Sequence, residues 1–282
     1  MDLDQTSGGD DLFGPPLDVR PLFPQQRSSL RTLLAGLDGA HWTSAVVPAW
    51  NVHDMVAHVL HDHARRLSAT RDGHHADLPP GSTLPERLNR ANDEFVAVAH
   101  QLSPRLLIDL IDVLGRDLDA LWSTQDLQAP ADANVSWASH GATPRWLDLA
   151  REYTEYWVHE QQIRDAVGRP GFRTPDVMGP VISTFARALP FTLREIDRPR
   201  DTRVRLRVTG PSGGLWEATR GHHGWRMSGS SGGPATTVEI DQDSFWRLAV
   251  RGITVDVARQ RARVDGDAEL HQAVTTLLAI VR

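Results

Sequence analysis

Residues 146–169, WLDLAREYTEYWVHEQQIRDAVGR, decide the fold of this chain. The stretch contains no proline, its one glycine is the penultimate residue, and it is long enough for about six helical turns, so it predicts one long helix. Steps of three or four residues join a series of polar side chains into one stripe: Asp148, Glu152, Glu155, His159 and Gln162. Apolar residues border this polar stripe on both sides, so we expect it to point into the protein. Buried carboxylates and a histidine need partners, and a divalent metal ion is one way to satisfy them.

Composition excludes several classes of function. The chain has 282 residues, room for one large domain or two ordinary ones, and its net charge of −6 does not suggest a nucleic-acid-binding surface. It has no cysteine, which excludes disulfides, cysteine-ligated zinc and a thiol nucleophile of its own. All 30 basic residues are arginine, which excludes a Schiff-base lysine and a P-loop lysine. With the abundant alanine and valine, this usage indicates a GC-rich genome of the actinobacterial kind.

The same composition predicts a cytoplasmic protein. No apolar run approaches the roughly 18 residues that a membrane span requires, so we expect no membrane partner. The N-terminal residues MDLDQTSGGDDLFGPP are acidic and lack the apolar core of a signal peptide. The sequence makes no prediction of the oligomeric state.

Amphipathic periodicity predicts an all-helical first domain. The predicted helices begin near Pro24 and at Asn51, and further ones span residues 85–102, 104–122, 146–169 and 175–196. Several long helices joined by loops are typical of an up-down bundle. We place this bundle at residues 21–198, with the last helix as a connector, after a flexible tail at residues 1–20.

The pattern changes to strands after residue 200. RVRLRVTG alternates apolar residues with arginine, the period of a half-buried strand. GLWEATR, HGWRMSG and ATTVEID follow, separated by Gly, Ser and Pro turns, as in an antiparallel meander. Two short helices, with RARVDG between them as a last strand, complete the chain. Residues 199–282 are therefore predicted to form a small α+β domain with an antiparallel sheet, which makes the fold class α followed by α+β.

An acid four residues before a histidine is weak evidence for a site. Such pairs occur three times, little more often than chance gives: Asp54/His58, Glu155/His159 and Asp267/His271. An ordinary hydrogen-bonded helical pair would explain Glu155 and His159 taken alone. A third metal ligand would have to come from another helix, and the second predicted helix offers four: His53, His58, His61 and His63. Its polar side is also typical of a solvated face, so the residues permit a His/Glu/His site without requiring one.

Three segments resemble the sequence motifs of a known family. Residues 50–59, WNVHDMVAHV, resemble the W-x-V-x-D-L-V-A-H-L opening of mycothiol-dependent maleylpyruvate isomerase-like proteins, members of the DinB-like helical-bundle superfamily. EYWVH at residues 155–159 is similar to the E-x-x-x-H helix of that family, and an I-R-x-A-x-G-R-P run follows at residues 163–170. RLAVRG and RVDGDAEL are similar to parts of its second domain. The resemblance implies a DinB-like bundle followed by a small α+β domain.

The resemblance also implies a site and an activity. His58, Glu155 and His159 would bind one divalent metal ion, Zn²⁺, leaving open the coordination position that is typical of catalytic zinc. That position would take mycothiol, a low-molecular-weight thiol, which ionises more easily when it is bound to a metal. The thiolate would add to an activated double bond of a small-molecule substrate, which gives a cis–trans isomerase, or remain attached, which gives an S-transferase. Arg251 of the second domain would bind a substrate carboxylate, although this chain reads Arg-Gly where relatives often read Gly-Arg; Arg247 is a rival.

Two other functions remain open on the residues alone. In a metal-dependent hydrolase, the open position would hold water and Glu152 or Asp148 would act as the base. In a non-catalytic binding protein, the polar stripe would be structural.

Overall fold

A computed structural model describes residues 12–229, 233 and 236–280, which form two compact units. The helical unit comprises residues 18–132 and 151–172. The mixed unit comprises residues 133–150 and 173–280, together with residues 12–17. Within the described ranges, no helix combines the length and the apolar composition needed to cross a membrane.

The helical unit is built from five α-helices and most of a sixth, with a short 3₁₀ helix at Arg20–Leu22 and a π-helical turn at Leu67–Arg71. These are α1 (Phe23–Ala35), α2 (Gly39–Trp42), α3 (Val52–Arg66), α4 (Leu84–Ala99), α5 (Pro104–Ser123) and α6 (Arg145–Ala166), the last from residue 151 onward. A two-stranded hairpin, β1 (Ala45–Val47) and β2 (Trp50–Asn51), precedes α3. The helices predicted near Pro24, after Asn51 and at residues 85–102, 104–122 and 146–169 are therefore confirmed.

Side-chain caps fix where three of these helices begin. Asn51 and Asp54 exchange side chain to backbone hydrogen bonds at the start of α3, and Thr83 and Glu86 do the same at the start of α4. The Ser103 hydroxyl caps α5. The predicted start of α3 at Asn51 is confirmed, and it determines which way each histidine of that helix points.

Helix α6 lies at the centre of the chain and is buried on most of its circumference. Asp148, Glu152 and His159 of the polar stripe are at most 8% exposed, so the prediction that the stripe points inward is confirmed for these three. Two polar residues outside the stripe, Glu160 and Gln161, are also fully buried. Helix α6 carries polar groups on more than one side because it has neighbours on more than one side.

The mixed unit combines helices with a five-stranded sheet. Its helices are α7 (Pro175–Ala186), α8 (Leu189–Thr192), α9 (Gln242–Ala249), α10 (Val255–Arg261) and α11 (Ala268–Val274). Its strands are β3 (Arg203–Thr209), β4 (Gly214–Arg220), β5 (Trp225–Ser228), β6 (Thr236–Asp241) and β7 (Arg263–Gly266). The order across the sheet is β5-β4-β3-β6-β7.

The sheet is mixed, so the prediction of an antiparallel sheet is wrong for one pair of strands. β3, β4 and β5 form the predicted meander and β6 pairs antiparallel with β7, but β6 runs parallel to β3. The register gives the reason: Ser228 at the end of β5 is level with Arg205, and Thr236 at the start of β6 is level with Val204. Strand β5 runs in the same direction as β3 and ends at the level of the sheet where β6 begins. Strand β6 continues in that direction, so it is parallel to β3. Alternation shows which face a residue occupies and not the direction of a strand.

Several predicted boundaries also differ from the structure. Residues 1–11 of the predicted tail lie outside the described residues, but Phe13 and Val19 are buried, and Arg187 donates to the Phe13 carbonyl oxygen at 2.6 Å. The predicted connector divides into α7 and α8, which belong to the mixed unit, and α10 was not predicted. The boundary at residues 198/199 stays a prediction about which segments fold on their own.

Candidate metal centre

Helices α3 and α6 bring the three predicted metal ligands together within the helical unit. The imidazole rings of His58 and His159 meet edge to face, with ring centroids 4.9 Å apart and an angle of 84° between the planes. One turn earlier on α6, Oε2 of Glu155 lies 3.5 Å from Nε2 of His159. Two imidazole rings and a carboxylate, from two helices, therefore form one cluster of neighbouring side chains.

Two nitrogen atoms of this group are buried without a well-aligned hydrogen bond to any described residue: Nδ1 of His58 and Nε2 of His159. The other ring nitrogen of His159, Nδ1, donates to Oε1 of Gln162 at 2.9 Å, so the lone pair of neutral His159 lies on Nε2. Buried polar atoms normally have partners, so two such nitrogens, one of them 3.5 Å from the Glu155 carboxylate, fit a divalent ion. The N, N, O donor set suits zinc, and Gln162 would orient the ring as outer-shell partners of zinc ligands do.

Burial and neighbouring charges shift the pKa values of the two histidines in opposite directions. Burial lowers the pKa of His58 well below its ordinary value, and the neighbouring positive charges of His159 and His61 act in the same direction. Burial also opposes protonation of His159, but the carboxylate of Glu155 outweighs it, so the pKa of His159 is raised. His58 is therefore neutral, as a metal ligand must be, whereas His159 holds a proton more readily and would have to release it to bind a metal ion.

A tighter group of potential ligands lies elsewhere in the same unit. Among the described residues, three histidine or carboxylate side chains bring their ligand atoms within 4.8 Å of one another only at His53, Asp54 and His100. The predicted ligands do not reach that spacing, so binding one ion would require their side chains to rotate toward each other. The sequence missed this second group because His100 lies on another helix, 46 residues from Asp54.

A buried ion network lies beside the predicted ligands. Nη2 of Arg66 lies 2.6 Å from Oε1 of Glu152, and Arg151 donates to the same carboxylate. The hydroxyl of Tyr156 lies 3.1 Å from Oε2 of Glu152 and 3.0 Å from Oδ2 of Asp62. The network joins α3 to α6 with two arginines and two carboxylates. Sequence reasoning identified Glu152 alone, because its partners on α3 are visible only once the two helices are paired.

The two carboxylates of this network have opposite pKa shifts. Burial alone would raise the pKa of Glu152, but Arg66 and Arg151 outweigh it and hold that pKa far below its ordinary value. Burial and the charge of Glu152 raise the pKa of Asp62 to about 7. Glu152 is therefore the ionised partner of the arginines, and Asp62 accepts a proton much more readily than an ordinary carboxylate.

Comparison with known proteins identifies the family. Residues 23–164, half of the chain, match the family model of the mycothiol maleylpyruvate isomerase N-terminal domain. This chain belongs to the mycothiol-dependent maleylpyruvate isomerase-like family. The matched range contains all three predicted metal ligands, His58, Glu155 and His159.

A solved structure of mycothiol-dependent maleylpyruvate isomerase extends the similarity in fold beyond the helical unit. A crystal structure of a histidine-to-alanine mutant shares the fold with a TM-score of 0.52 and 16% identity, over 88% of this chain and 92% of that chain. A second crystal structure of the isomerase has a TM-score of 0.47 and 16% identity, over 81% of this chain and 86% of that chain. No curated protein has a significantly similar sequence.

Within this maleylpyruvate isomerase-like chain, Arg251 lies in the mixed unit, just after α9. It is exposed and has a positive φ of 60°. Its rival Arg247 donates from Nε to Oδ2 of Asp243 at 2.9 Å and lies over the Trp246 ring at 4.4 Å. Arg247 is thus fixed by its neighbours, and the role predicted for Arg251 stays a prediction.

Proposed function

We propose that this chain is a metal-dependent enzyme that uses mycothiol as an external nucleophile, for cis–trans isomerisation of the maleylpyruvate isomerase type or for S-transfer. His58, Glu155 and His159 would bind the ion, which we expect to be Zn²⁺. The observation that carries the proposal is that two buried imidazole nitrogens, on His58 and His159, lack a well-aligned hydrogen bond, and the one on His159 lies 3.5 Å from Glu155, inside the range that matches the family model.

The side chains of the chain itself prepare this chemistry. A divalent ion held by two neutral imidazoles and one carboxylate would keep one net positive charge and lower the pKa of a coordinated thiol. His58 is kept neutral by burial. The hydrogen bond from Nδ1 of His159 to Gln162 leaves the lone pair of the neutral His159 ring on Nε2. The chain has no cysteine, so the thiol has to come from outside. Arg251 is our proposal for the residue that binds a substrate carboxylate.

The hydrolase alternative is less favoured by the surroundings of Glu152. A general base must accept a proton near neutral pH. Glu152 is held by Arg66 and Arg151, which lower its pKa, and it also accepts from Tyr156. Asp148, the other candidate base, is 2% exposed.

The test is an activity assay on the zinc-loaded full chain with mycothiol and maleylpyruvate. Conversion to the trans isomer should require both zinc and the thiol, and His58→Ala and His159→Ala should each lower the rate at least about a hundredfold. His271→Ala is the matched control, because His271 has the same four-residue spacing from an acid but lies in the mixed unit. Mass spectrometry of the products separates the two activities, since an S-transferase accumulates a thiol adduct.

Two results would contradict the proposal. Equal turnover without thiol would favour a hydrolase or another mechanism. The second result is that the wild-type protein shows neither turnover nor adduct and that His159→Ala binds zinc as tightly as the wild type. The three side chains would then form a structural hydrogen-bonded group.

A further inference from the structure

The helical unit holds a second group of metal-ligating side chains that the proposed function does not use. His53 and Asp54 lie in the first turn of α3, and His100 is the C-cap residue of α4. Their ligand atoms all lie within 4.8 Å of one another. His53 and His58 are five residues apart on α3, about 140° around a helix, so this group and the first centre lie on different sides of α3.

His53 carries a free lone pair at this place. Its Nε2 lies 3.0 Å from the carbonyl oxygen of Leu102, which can only accept, so Nε2 donates the proton. The neutral ring therefore has its lone pair on Nδ1, which is buried and has no hydrogen-bond partner among the described residues. A histidine that donates one nitrogen to a backbone carbonyl and leaves the other free is the usual arrangement of a metal ligand.

Asp54 and His100 supply the other two donors. Oδ2 of Asp54 accepts from the Asn51 amide at the helix cap, and Oδ1 accepts from Nε2 of His100 at 2.6 Å. A metal ion would take the place of the proton between Asp54 and His100, and the cap would remain. The His100 side chain is 60% exposed, which gives an ion access and gives the ring room to rotate.

The distances are compatible with a small rearrangement. In a tetrahedral site with bonds of about 2.0–2.1 Å, ligand atoms lie about 3.3 Å apart. The 2.6 Å contact between Asp54 and His100 would open and the widest separation, within 4.8 Å, would close. The positive end of α3 opposes a cation here, but the carboxylate of Asp54 and the negative end of α4 favour one.

We propose that His53, Asp54 and His100 form a second metal site for a divalent transition ion of the zinc type. Two imidazole nitrogens and one carboxylate oxygen favour such an ion over Mg²⁺ or Ca²⁺, which prefer oxygen ligands. The bound ion links the start of α3 to the end of α4. Three protein ligands leave at least one coordination position to water or another small ligand.

Calorimetric titration of the metal-stripped full chain with ZnCl₂ tests the site. Wild-type protein should bind one equivalent that His100→Ala loses or binds at least about tenfold more weakly. His75→Ala is the matched control, because His75 is an exposed histidine of the same unit outside the group, and it should titrate as wild type does. An isotherm of His100→Ala that superimposes on the wild-type isotherm overturns the inference, as does equal weakening in His75→Ala.

The variant His159→Ala distinguishes the second site from the first centre. If both sites exist, wild type binds two equivalents and each variant, His100→Ala or His159→Ala, loses a different one. A single equivalent lost only in His100→Ala upholds this site and removes the metal from the proposed function. A single equivalent lost only in His159→Ala does the reverse.

Discussion

At the scale of single residues, His63 shows how burial makes stability depend on pH. It lies on α3 with Nδ1 buried and without a hydrogen-bond partner in the described part of the chain. Burial lowers the pKa of His63 to about 4, and the charge of Glu152, which acts in the opposite direction, does not offset it. Between the folded pKa and the ordinary value of 6.5, only the unfolded chain binds a proton here, so stability falls as the pH falls.

We expect His63→Leu to remove this part of the pH dependence. Leucine does not titrate and suits the apolar neighbours of His63, such as Leu30 and Ile111, around a small cavity. Between pH 7 and pH 4, the wild-type protein should lose about 3 kcal/mol more unfolding free energy than the variant. Urea unfolding at the two pH values measures the difference, and an equal loss in both proteins would contradict the assignment.

Arg251 occupies a backbone position that suits glycine. Its φ is 60°, and the amide of Gly252 donates to the Arg247 carbonyl oxygen at 2.6 Å, so Arg251 is the left-handed residue that ends α9. We expect Arg251→Gly to raise the free energy of unfolding by about 1 kcal/mol, and Arg251→Ala to leave it unchanged. Thermal unfolding compares the two, and equal stability would contradict the backbone argument.

The same pair of variants tests the proposed role of Arg251 in binding. Both remove the guanidinium group, so both should raise KM for a carboxylate substrate if Arg251 binds it, whatever their stability. An unchanged KM in both would leave Arg251 as an exposed residue that ends a helix.

At the scale of secondary-structure elements, the ion network of Glu152 fixes α6 to α3. Arg66→Met should lower the free energy of unfolding by about 3 kcal/mol, because it leaves the buried carboxylate of Glu152 without one of its cations. Arg105→Met is the matched control, since Arg105 and Asp109 form an exposed pair on α5 and their loss should cost less than about 1 kcal/mol. Chemical unfolding measures both variants; equal effects would mean that the network adds no more than a surface pair.

The same elements show what the sequence could predict. Periodicity identified α3 and α6, the inward direction of the polar stripe and the face that carries His159. It could not predict the burial of Glu160, whose carboxylate accepts from the Ser29 hydroxyl at 2.6 Å and from the Gln26 amide at 3.0 Å, because these partners lie more than 130 residues away. Helix α10 was missed because only Ala258 of its residues is buried, so it lacks an apolar period.

At the scale of the whole molecule, helices followed by a sheet could be predicted, but the grouping of the segments into the two units could not. The mixed unit takes in residues 12–17 and 133–150 as well as the sheet. Local patterns contain no information on which distant segments pack together, and they give no direction for a strand such as β6. The family resemblance supplied what periodicity left open, namely which histidine of α3 faces Glu155 and His159.

The most direct test of the proposed function is the visible spectrum of the Co²⁺-loaded protein during addition of mycothiol. The His100→Ala protein is used, so that the second site of His53, Asp54 and His100 is disabled. We expect the thiol to produce a sulfur-to-cobalt charge-transfer band. The band should be absent in the double variant that carries both His100→Ala and His159→Ala. No band, or a band that survives the loss of His159, would contradict a thiol-binding metal centre at these three residues.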